Sequence, residues 1–360
     1  MSTPSKGFAA DTWQSLKRNG TAMAALAIIL ITLLTAVFAY WIAPDHSPNA
    51  NRMMVELAGM KPGHRQIFIA LPRKDKPSQV GWLERTIDGA RDTEQFIPVV
   101  AAKQVSDSLV WLQYLDEGIS ERKSMKASPG SYRILSMRFW LGTDKYGRDI
   151  LSRLIIGTRV SLSVGTIAVV ISLLIGISLG ALAGYFRGRT DDLIMWFINV
   201  VWSIPTLLLV FAITLALGKG FWQVFIAVGL TLWVNVARMI RGQVMSIREL
   251  EYVEAARALG AGHARIIIRH ILPNVMGPVM VLAASNFASA IVMEAGLSFL
   301  GVGVQSPQPS WGLMIKENYN FIITHNPMLA VIPGLAIMIL VLAFNVLGNG
   351  LRDAMDVKRG

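Results

Sequence analysis

Long stretches without charged side chains constrain this chain more than any other feature. In 360 residues they occur at 19–44, 160–186, 193–218, 220–237, 270–293 and 318–351. A helix needs about 20 apolar residues to cross the hydrocarbon core of a bilayer. Only 16% of the residues are charged, well below the share in soluble domains. The sequence therefore predicts an all-α integral membrane protein with six transmembrane helices.

The distribution of basic residues predicts how these helices are oriented. We place the spans at about 21–43, 160–186, 193–217, 220–238, 276–300 and 329–350. Of the short connections and tails, those on one side hold fourteen basic residues: Lys6, Lys17, Arg18, Arg187, Arg189, Arg238, Arg241, Arg248, Arg257, Arg265, Arg269, Arg352, Lys358 and Arg359. The other side holds Lys219 and Lys316. Because short cytoplasmic loops are enriched in Lys and Arg, we expect cytoplasmic termini, 1–20 and 351–360, and an external segment 44–159.

Composition also excludes several function classes. The net charge of +11 is distributed as membrane orientation requires, so it does not indicate nucleic-acid binding. The chain has no cysteine, and its five histidines are scattered, so we expect no metal site. It contains no phosphate-binding G-x-x-x-x-G-K-[ST] loop and no paired catalytic residues. These absences argue against an enzyme. The first apolar run is too long for a signal-peptide core, so we expect it to be a retained helix.

Glycine and proline mark particular helices. Gly176, Gly180 and Gly184 recur every fourth residue, a spacing that lets another helix approach closely. We favour this packing role over a direct role in a transport pathway. Pro205 lies within the third predicted span and Pro333 near the start of the last, where they disturb regular helix.

The segment 240–275, the only long cytoplasmic connection, is the most informative. Its pattern predicts a helix over 247–259 that ends at Gly260, and a short second helix that Pro273 breaks. Two readings remain. The helices rest on lipid headgroups, or they dock a cytoplasmic partner. Acidic residues such as Glu254 weaken the first reading, and an apolar face formed by Tyr252, Ala256 and Leu259 supports the second.

This segment resembles the EAA loop of ABC-importer permeases. The matching residues are Glu254-Ala255-Ala256, then Gly260, then Leu272-Pro273, and His270 resembles the branch that carries dipeptides, oligopeptides and nickel. The resemblance implies a type I ABC-importer permease fold and a loop seated in a cleft of the ATP-hydrolysing subunit. The implied coupling residues are Tyr252, Glu254, Ala255, Ala256, Leu259, Gly260, His270, Leu272 and Pro273.

Two further segments are similar to the C-type permease subunit of the same class. The first, 141–165, contains Asp144, Arg148, Asp149 and Arg153, which we expect on one face of a short external helix with local ion pairs. The second contains EAGLSFLGVG from Glu294, and then Pro309–Gly312. The tail GNGLRDAMD from Gly348 resembles the family's terminal signature, although Asn349 and Val357 depart from it.

Glu294 is the one acidic residue inside a predicted span. A charge there costs on the order of 2.5–3.5 kcal/mol, so such residues usually face the bundle interior or water. Glu294 either lines the pathway or bonds structurally to a neighbouring helix. The pathway and gate candidates are Glu294, Ser298, Asn286 and Trp311.

The resemblance fails over about 46–138, which we interpret as an extra external insertion between the first two helices. Short apolar runs at 66–71 and 96–101, with a helical or strand-like piece at 108–115, are consistent with a small domain or with decoration.

The resemblance implies an inner-membrane permease subunit that forms half of a peptide pathway. Its expected partners are a second homologous permease, two ATP-binding subunits that hold ATP and Mg, an extracytoplasmic substrate-binding protein and the bilayer. The alternative is a secondary transporter driven by an ion gradient. No internal repeat and no second intramembrane acid support that alternative.

Overall fold

The computed structural model describes residues 8–73, 81–105, 108–116, 119–126, 131–218, 220–324 and 326–356. Several residues used above lie outside these ranges: Lys6, Lys219, His325, Val357, Lys358 and Arg359. The chain divides into two compact units. The first is built largely from Ser161–Gln305 with segments near both termini, and the second from Leu33–Val160 with Ser306–Leu335.

Helices dominate the described residues. In chain order they are α1 (Phe8–Arg18), α2 (Gly20–Val37), α3 (Ala39–Ile42), α4 (Trp82–Asp88), α5 (Ile150–Phe186), α6 (Gly188–Trp202), α7 (Thr206–Leu217), α8 (Phe221–Arg248), α9 (Glu251–Ala258), α10 (His263–Arg265), α11 (Leu272–Phe299), α12 (Trp311–Asn318), α13 (Phe321–Thr324) and α14 (Met328–Asp356). Among the described residues, five helical stretches are long and apolar enough to cross a membrane, and there are six if the bent pair α6 and α7 counts as one span. The membrane-spanning helical fold class is confirmed.

The third predicted span, 193–217, is not one straight helix. Helices α6 and α7 meet at a bend of 90°, and Pro205, in an extended conformation, precedes α7. Proline has no N–H to donate and disfavours helical backbone in the residue before it. The prediction that Pro205 disturbs the helix is confirmed, but the sequence did not indicate how large the bend is.

Pro273 does not break the helix that precedes it, and this prediction was wrong. The helical stretch runs from His263 to Phe299 because a π-helical segment, Ile266–Ile271, joins α10 to α11. The wider turn pairs the N–H of Leu272 with the carbonyl of Ile267. Pro273 is then in the first turn of α11, where its missing N–H is tolerated.

The glycines of α5 pack directly against α8. A Cβ atom on Gly176 would lie 2.4 Å from Cβ of Val236, and one on Gly180 would lie 2.5 Å from the carbonyl oxygen of Ala237. Gly184 is equally close, at 2.7 Å from the carbonyl oxygen of Arg241. The predicted close helix packing is confirmed.

The insertion contains a five-stranded antiparallel sheet, so the description all-α applies only to the membrane-spanning part. Its strands are β1 (His64–Pro72), β2 (Glu94–Val105), β3 (Ser108–Asp116), β4 (Ile119–Lys126) and β5 (Arg133–Phe139), in the order β4-β3-β2-β1-β5. Successive side chains of a strand point to opposite faces. Accordingly Phe68 packs with Leu57 and Phe139 in one cluster, whereas Ile69 packs with Val99 and Trp111 in another. The insertion therefore has cores of its own, as the small-domain reading expects.

Candidate functional site

The predicted coupling segment folds as a helical hairpin. Its first long helix, α9, ends in a recognisable C-cap. The N–H of Gly260 bonds to the carbonyl of Arg257, and the N–H of Ala261 bonds to that of Ala256. This pair of bonds is the Schellman motif, whose residue after the cap adopts a left-handed conformation. Gly260 does so, with φ of +81°. The predicted helix stop at Gly260 is confirmed. Helix α9 begins at Glu251 and not at 247 as predicted, because Leu250 is extended.

One face of the hairpin is fixed to the ends of the long helices. Val253 is fully buried in a cluster with residues of α5, α8 and α11, together with Ile266 and Ile271. The cluster members are Ala181, Tyr185, Val236, Ile240, Val244, Val253, Ile266, Ile271, Val275 and Val279. Because packed interiors are nearly incompressible, α9 can move only together with these helix ends.

The opposite face of the hairpin is exposed. Leu259 is 88% exposed, and Glu254 and Ala255 are also exposed. Ala256 is buried, so Tyr252, Ala256 and Leu259 do not form the common exposed apolar face that helical spacing predicted. The sequence alone could not show that Ala256 is covered in the folded chain.

The remaining coupling candidates tie the two arms of the hairpin together. The hydroxyl of Tyr252 donates to the carbonyl of His270 at 3.3 Å and accepts from Nδ2 of Asn274 at 3.1 Å. Asn274 Nδ2 also donates to the His270 carbonyl at 2.7 Å. Leu272 packs partly buried against the cluster, and Pro273 is exposed. Tyr252 is therefore held within the hairpin, although its ring remains 43% exposed.

Ion pairs connect the hairpin region to the turn between α5 and α6, and sequence reasoning missed them. Arg187 Nη2 lies 2.6 Å from Glu249 Oε1. Arg241 donates to both carboxylate oxygens of Asp191, at 2.5 and 2.6 Å. Acidic and basic residues occur together in these short cytoplasmic connections, and this could have indicated ion pairs. The basic residues served above only to orient the helices.

Two cavities in the first unit share one face of α11. The larger has a volume of ≈590 Å³ and is lined by α8, α11 and α14. Its polar lining residues are Gln243, Asn274, Ser285, Asn345, Asn349 and Arg352. The smaller, of ≈180 Å³, lies at the α6–α7 bend and includes Asn286. Leu282 and Ser285 line both cavities. One face of α11, with polar residues interspersed among apolar ones, thus continues from one cavity to the other.

The pathway candidates from the sequence do not form a single site. Asn286 lines the smaller cavity. Glu294 and Ser298, which are buried, are not among the described residues that line either cavity. The hydroxyl of Ser298 donates to Glu294 Oε1 at 2.7 Å and accepts from the N–H of Val304 at 3.2 Å. This geometry favours the structural reading of Glu294 and gives its carboxylate a partner in its own helix.

Trp311 anchors packing in the second unit. Its side chain is 3% exposed, and its Nε1 donates to the carbonyl of Leu154 at 3.0 Å. A Cβ atom on Gly157 would lie 3.2 Å from the indole ring. Ser310 caps α12 by accepting from the N–H of Leu313 at 3.1 Å.

The external charged motif is a buried network and not a face of a short helix. Residues 144–149 form a turn, and α5 begins only at Ile150. Arg148 is fully buried between Asp144, at 2.6 Å, and Glu317, at 2.7 Å. Arg153 reaches the same Glu317 oxygen at 3.3 Å. The prediction of weak surface pairs was wrong because this motif closes against α12, which the local sequence does not reveal.

Asp149 caps the start of α5. Its Oδ2 accepts from the N–H of Ser152 at 2.9 Å, which is the usual N-cap interaction. Burial raises the pKa of Asp149, and the bonds from Ser152 oppose that rise. Within the described ranges, no cluster of three or more His, Asp or Glu side chains has the geometry of a metal site.

Comparisons with known proteins agree with this architecture. A family model described as "Binding-protein-dependent transport system inner membrane component" matches residues 176–359, and one described as "N-terminal TM domain of oligopeptide transport permease C" matches residues 7–58. The chain is 39% identical over 252 residues to the glutathione transport system permease protein GsiD of Pectobacterium atrosepticum, covering 69% of this chain and 81% of that protein.

Other relatives carry similar names. The oligopeptide transport system permease protein OppC of Bacillus subtilis is 42% identical, over 61% of this chain and 72% of that protein. The di/tripeptide transport system permease protein DppC of Pseudomonas aeruginosa is 42% identical, over 69% of this chain and 82% of that protein.

Proposed function

The chain belongs to the family of binding-protein-dependent transport system inner membrane components, and from that premise we propose that it imports short peptides as one of two permease subunits. It is a multi-pass protein of the inner membrane. Relatives named for oligopeptides, di/tripeptides and glutathione support a peptide substrate. The family does not favour the ion-gradient-driven transporter.

The α9 hairpin is the docking site for an ATP-binding subunit. The observation that carries this proposal is the contrast between the two faces of the hairpin, because Val253 is fully buried whereas Leu259 is 88% exposed. An exposed leucine beside acidic residues suits the groove of a protein partner. It suits an anionic lipid surface less well, because Glu251 and Glu254 would be repelled.

ATP acts through the partner. A ligand shifts a conformational equilibrium only by its differential affinity for the two states, so ATP must favour the closed pair of ATP-binding subunits. Their closure would move the two hairpins of the paired permeases, and the buried cluster would pass this movement to α8 and α11.

Peptide would pass along the face of α11 that lines both cavities. Ser285 and Asn274 line the larger cavity, and Asn286 and Ser289 line the smaller one. Amide and hydroxyl side chains both donate and accept hydrogen bonds, as a peptide backbone does. Such a lining recognises backbone groups and leaves side-chain selection to an extracytoplasmic substrate-binding protein.

The assembly proposed is one copy of this chain, a homologous second permease, two ATP-binding subunits with ATP and Mg, and the external binding protein. Both termini and the hairpin face the cytoplasm, as the excess of basic residues in short loops indicates. ATP hydrolysis takes place in the partner, and this chain is a transport subunit.

Co-purification tests the docking site. We expect Leu259→Asp to abolish capture of the ATP-binding subunits by the tagged chain, because a charge enters an apolar contact. Ile323→Asp is the matched control, since Ile323 in α13 is 91% exposed and outside the hairpin. Undiminished capture by Leu259→Asp would contradict the proposal. Uptake of a labelled dipeptide by vesicles that lack the ATP-binding subunits would instead support the secondary transporter.

A further inference from the structure

Helix α4 of the insertion presents large apolar side chains that are more than half exposed. Trp82, Leu83 and Ile87 are 73%, 56% and 53% exposed, and α4 buries none of its residues. This helix lies in the region where the resemblance to permeases fails. We propose that α4 is a membrane anchor that inserts into the outer-leaflet interface beside α2 and α3. This inference is independent of the peptide substrate.

The polar side of α4 is held firmly against the chain that follows α2. Trp41 Nε1 donates to Oγ1 of Thr86 at 3.0 Å, and the guanidinium of Arg85 lies 4.4 Å from the centre of the Trp41 ring. Arg159 Nη1 donates to the carbonyls of Thr86 and Ile87, both at 2.9 Å. The orientation of α4 is therefore set by specific contacts.

Gly89 fixes the exit from α4. It has φ of +80°, and a Cβ atom there would lie 2.7 Å from the carbonyl oxygen of His46. Only glycine combines this backbone conformation with so close an approach. The connection therefore returns tightly to the segment after α3.

The position of α3 sets the depth of α4 in the bilayer. Helix α2 has 18 residues, which at 1.5 Å per residue span about 27 Å, close to the hydrocarbon thickness of about 30 Å. The residues that follow α2, Phe38 to Ile42, then lie at the level of the interface. Trp41, which is 45% exposed, is of a residue type enriched there. Since α4 contacts Trp41, α4 lies at the same level.

The two exposed stripes of α4 differ in chemistry. Leu83 and Ile87 are four residues apart and share one stripe, whereas Glu84 and Asp88 share the next. On the chain that α4 contacts through Trp41, the apolar side chains of Phe38, Trp41 and Ile42 are also exposed, at 50%, 45% and 53%. Lipid thus covers the apolar stripe, and water the acidic one, as in an interfacial helix.

Site-directed labelling tests this arrangement, and the absence of cysteine from the chain makes it direct. Leu83→Cys, Ile87→Cys and the control Glu84→Cys would each carry one environment-sensitive NBD fluorophore. The full-length variants would be reconstituted in phosphatidylethanolamine–phosphatidylglycerol vesicles without a binding protein. Lipids brominated near the headgroup end of the acyl chain would serve as quenchers, because an interfacial helix buries its apolar face by about 5–10 Å.

We expect the labels at 83 and 87 to be quenched several-fold more strongly than the label at 84, with emission shifted to the blue. Aqueous iodide should quench in the opposite order. Equal quenching of all three labels by iodide, with little by brominated lipid, would overturn the proposal and identify α4 as a water-facing or protein-binding surface. All three positions are exposed, so the substitutions leave packing intact, and equal melting temperatures would verify this.

Discussion

Replacing Glu317 by alanine should destabilise the second unit strongly, although Glu317 lies far in sequence from the arginines it contacts. Its Oε2 accepts from Nη2 of Arg148 at 2.7 Å and from Nη2 of Arg153 at 3.3 Å. Both arginines are at most 1% exposed. In the wild-type cluster, Asp144 and Glu317 balance these two charges. The substitution leaves one buried positive charge in excess.

The distances set the size of the effect. At an effective dielectric constant of about 20, a pair at 2.7 Å attracts by about 6 kcal/mol and one at 3.3 Å by about 5 kcal/mol. Removing Glu317 also removes the cost of burying its charge, which offsets several kcal/mol of this loss. Asp144 remains 2.6 Å from Arg148 and continues to stabilise it. We therefore expect a net loss of about 3–5 kcal/mol, the range found when a buried pair loses one partner.

Thermal unfolding in detergent, followed by intrinsic fluorescence, measures this loss, and we expect the melting temperature to fall by roughly 10 °C. Glu94→Ala is the matched control. Glu94 pairs with Arg133 at a similar distance, 2.6 Å, but that arginine is 70% exposed, and solvent screens such a pair. We expect no resolvable change in this control. Glu317→Gln, which keeps the shape of the side chain, should lose nearly as much as alanine. Equal shifts for Glu317→Ala and Glu94→Ala would refute the role assigned to burial.

Two glycines allow further tests. Gly180→Ala should cost about 1–3 kcal/mol, because its Cβ would lie 2.5 Å from a backbone oxygen of α8. Gly242→Ala, which has open space around it, should not lower the melting temperature, and an equal drop in both would contradict the packing argument. Gly260→Ala should weaken the C-cap of α9 by about 1–2 kcal/mol through its positive φ alone. Hydrogen exchange should then quicken in α9 but not in α8, and unchanged exchange in α9 would show that the cap is dispensable.

Features set by neighbouring residues could be predicted from the sequence. The stop at Gly260 follows from a left-handed cap that glycine adopts most readily. The close approach of another helix to α5 follows from glycines spaced every fourth residue, although the sequence did not identify α8 as that helix. Likewise, uncharged runs of membrane length locate the spans, because the bilayer acts on each helix separately. In each case a pattern within a few residues, or within one helix, carries the prediction.

Features set by distant residues could not be predicted. Arg148 and Glu317 are 169 residues apart. The residues around Asp144 do not indicate that the Glu317 carboxylate of α12 lies beside them. The burial of Ala256 could not be predicted for the same reason. Its spacing along the helix relative to Tyr252 and Leu259 was assigned correctly, but the sequence does not show which side of α9 is covered. The incorrect prediction that the helix ends at Pro273 has a different cause. A π-helical segment changes which N–H groups are needed, and proline alone does not reveal that change.

In the proposed mechanism, packing rather than charge carries motion from α9 to the cavity. Arg187 and Glu249 connect the hairpin to the α5–α6 turn, but their side chains are 39% and 56% exposed, and such pairs hold weakly. Val253, by contrast, shares a closed apolar cluster with Ile240 of α8 and Val275 of α11. Their chain neighbours, Met239 and Asn274, line the larger cavity. Because close-packed side chains transmit displacement with little compression, a shift of α9 must move the cavity walls.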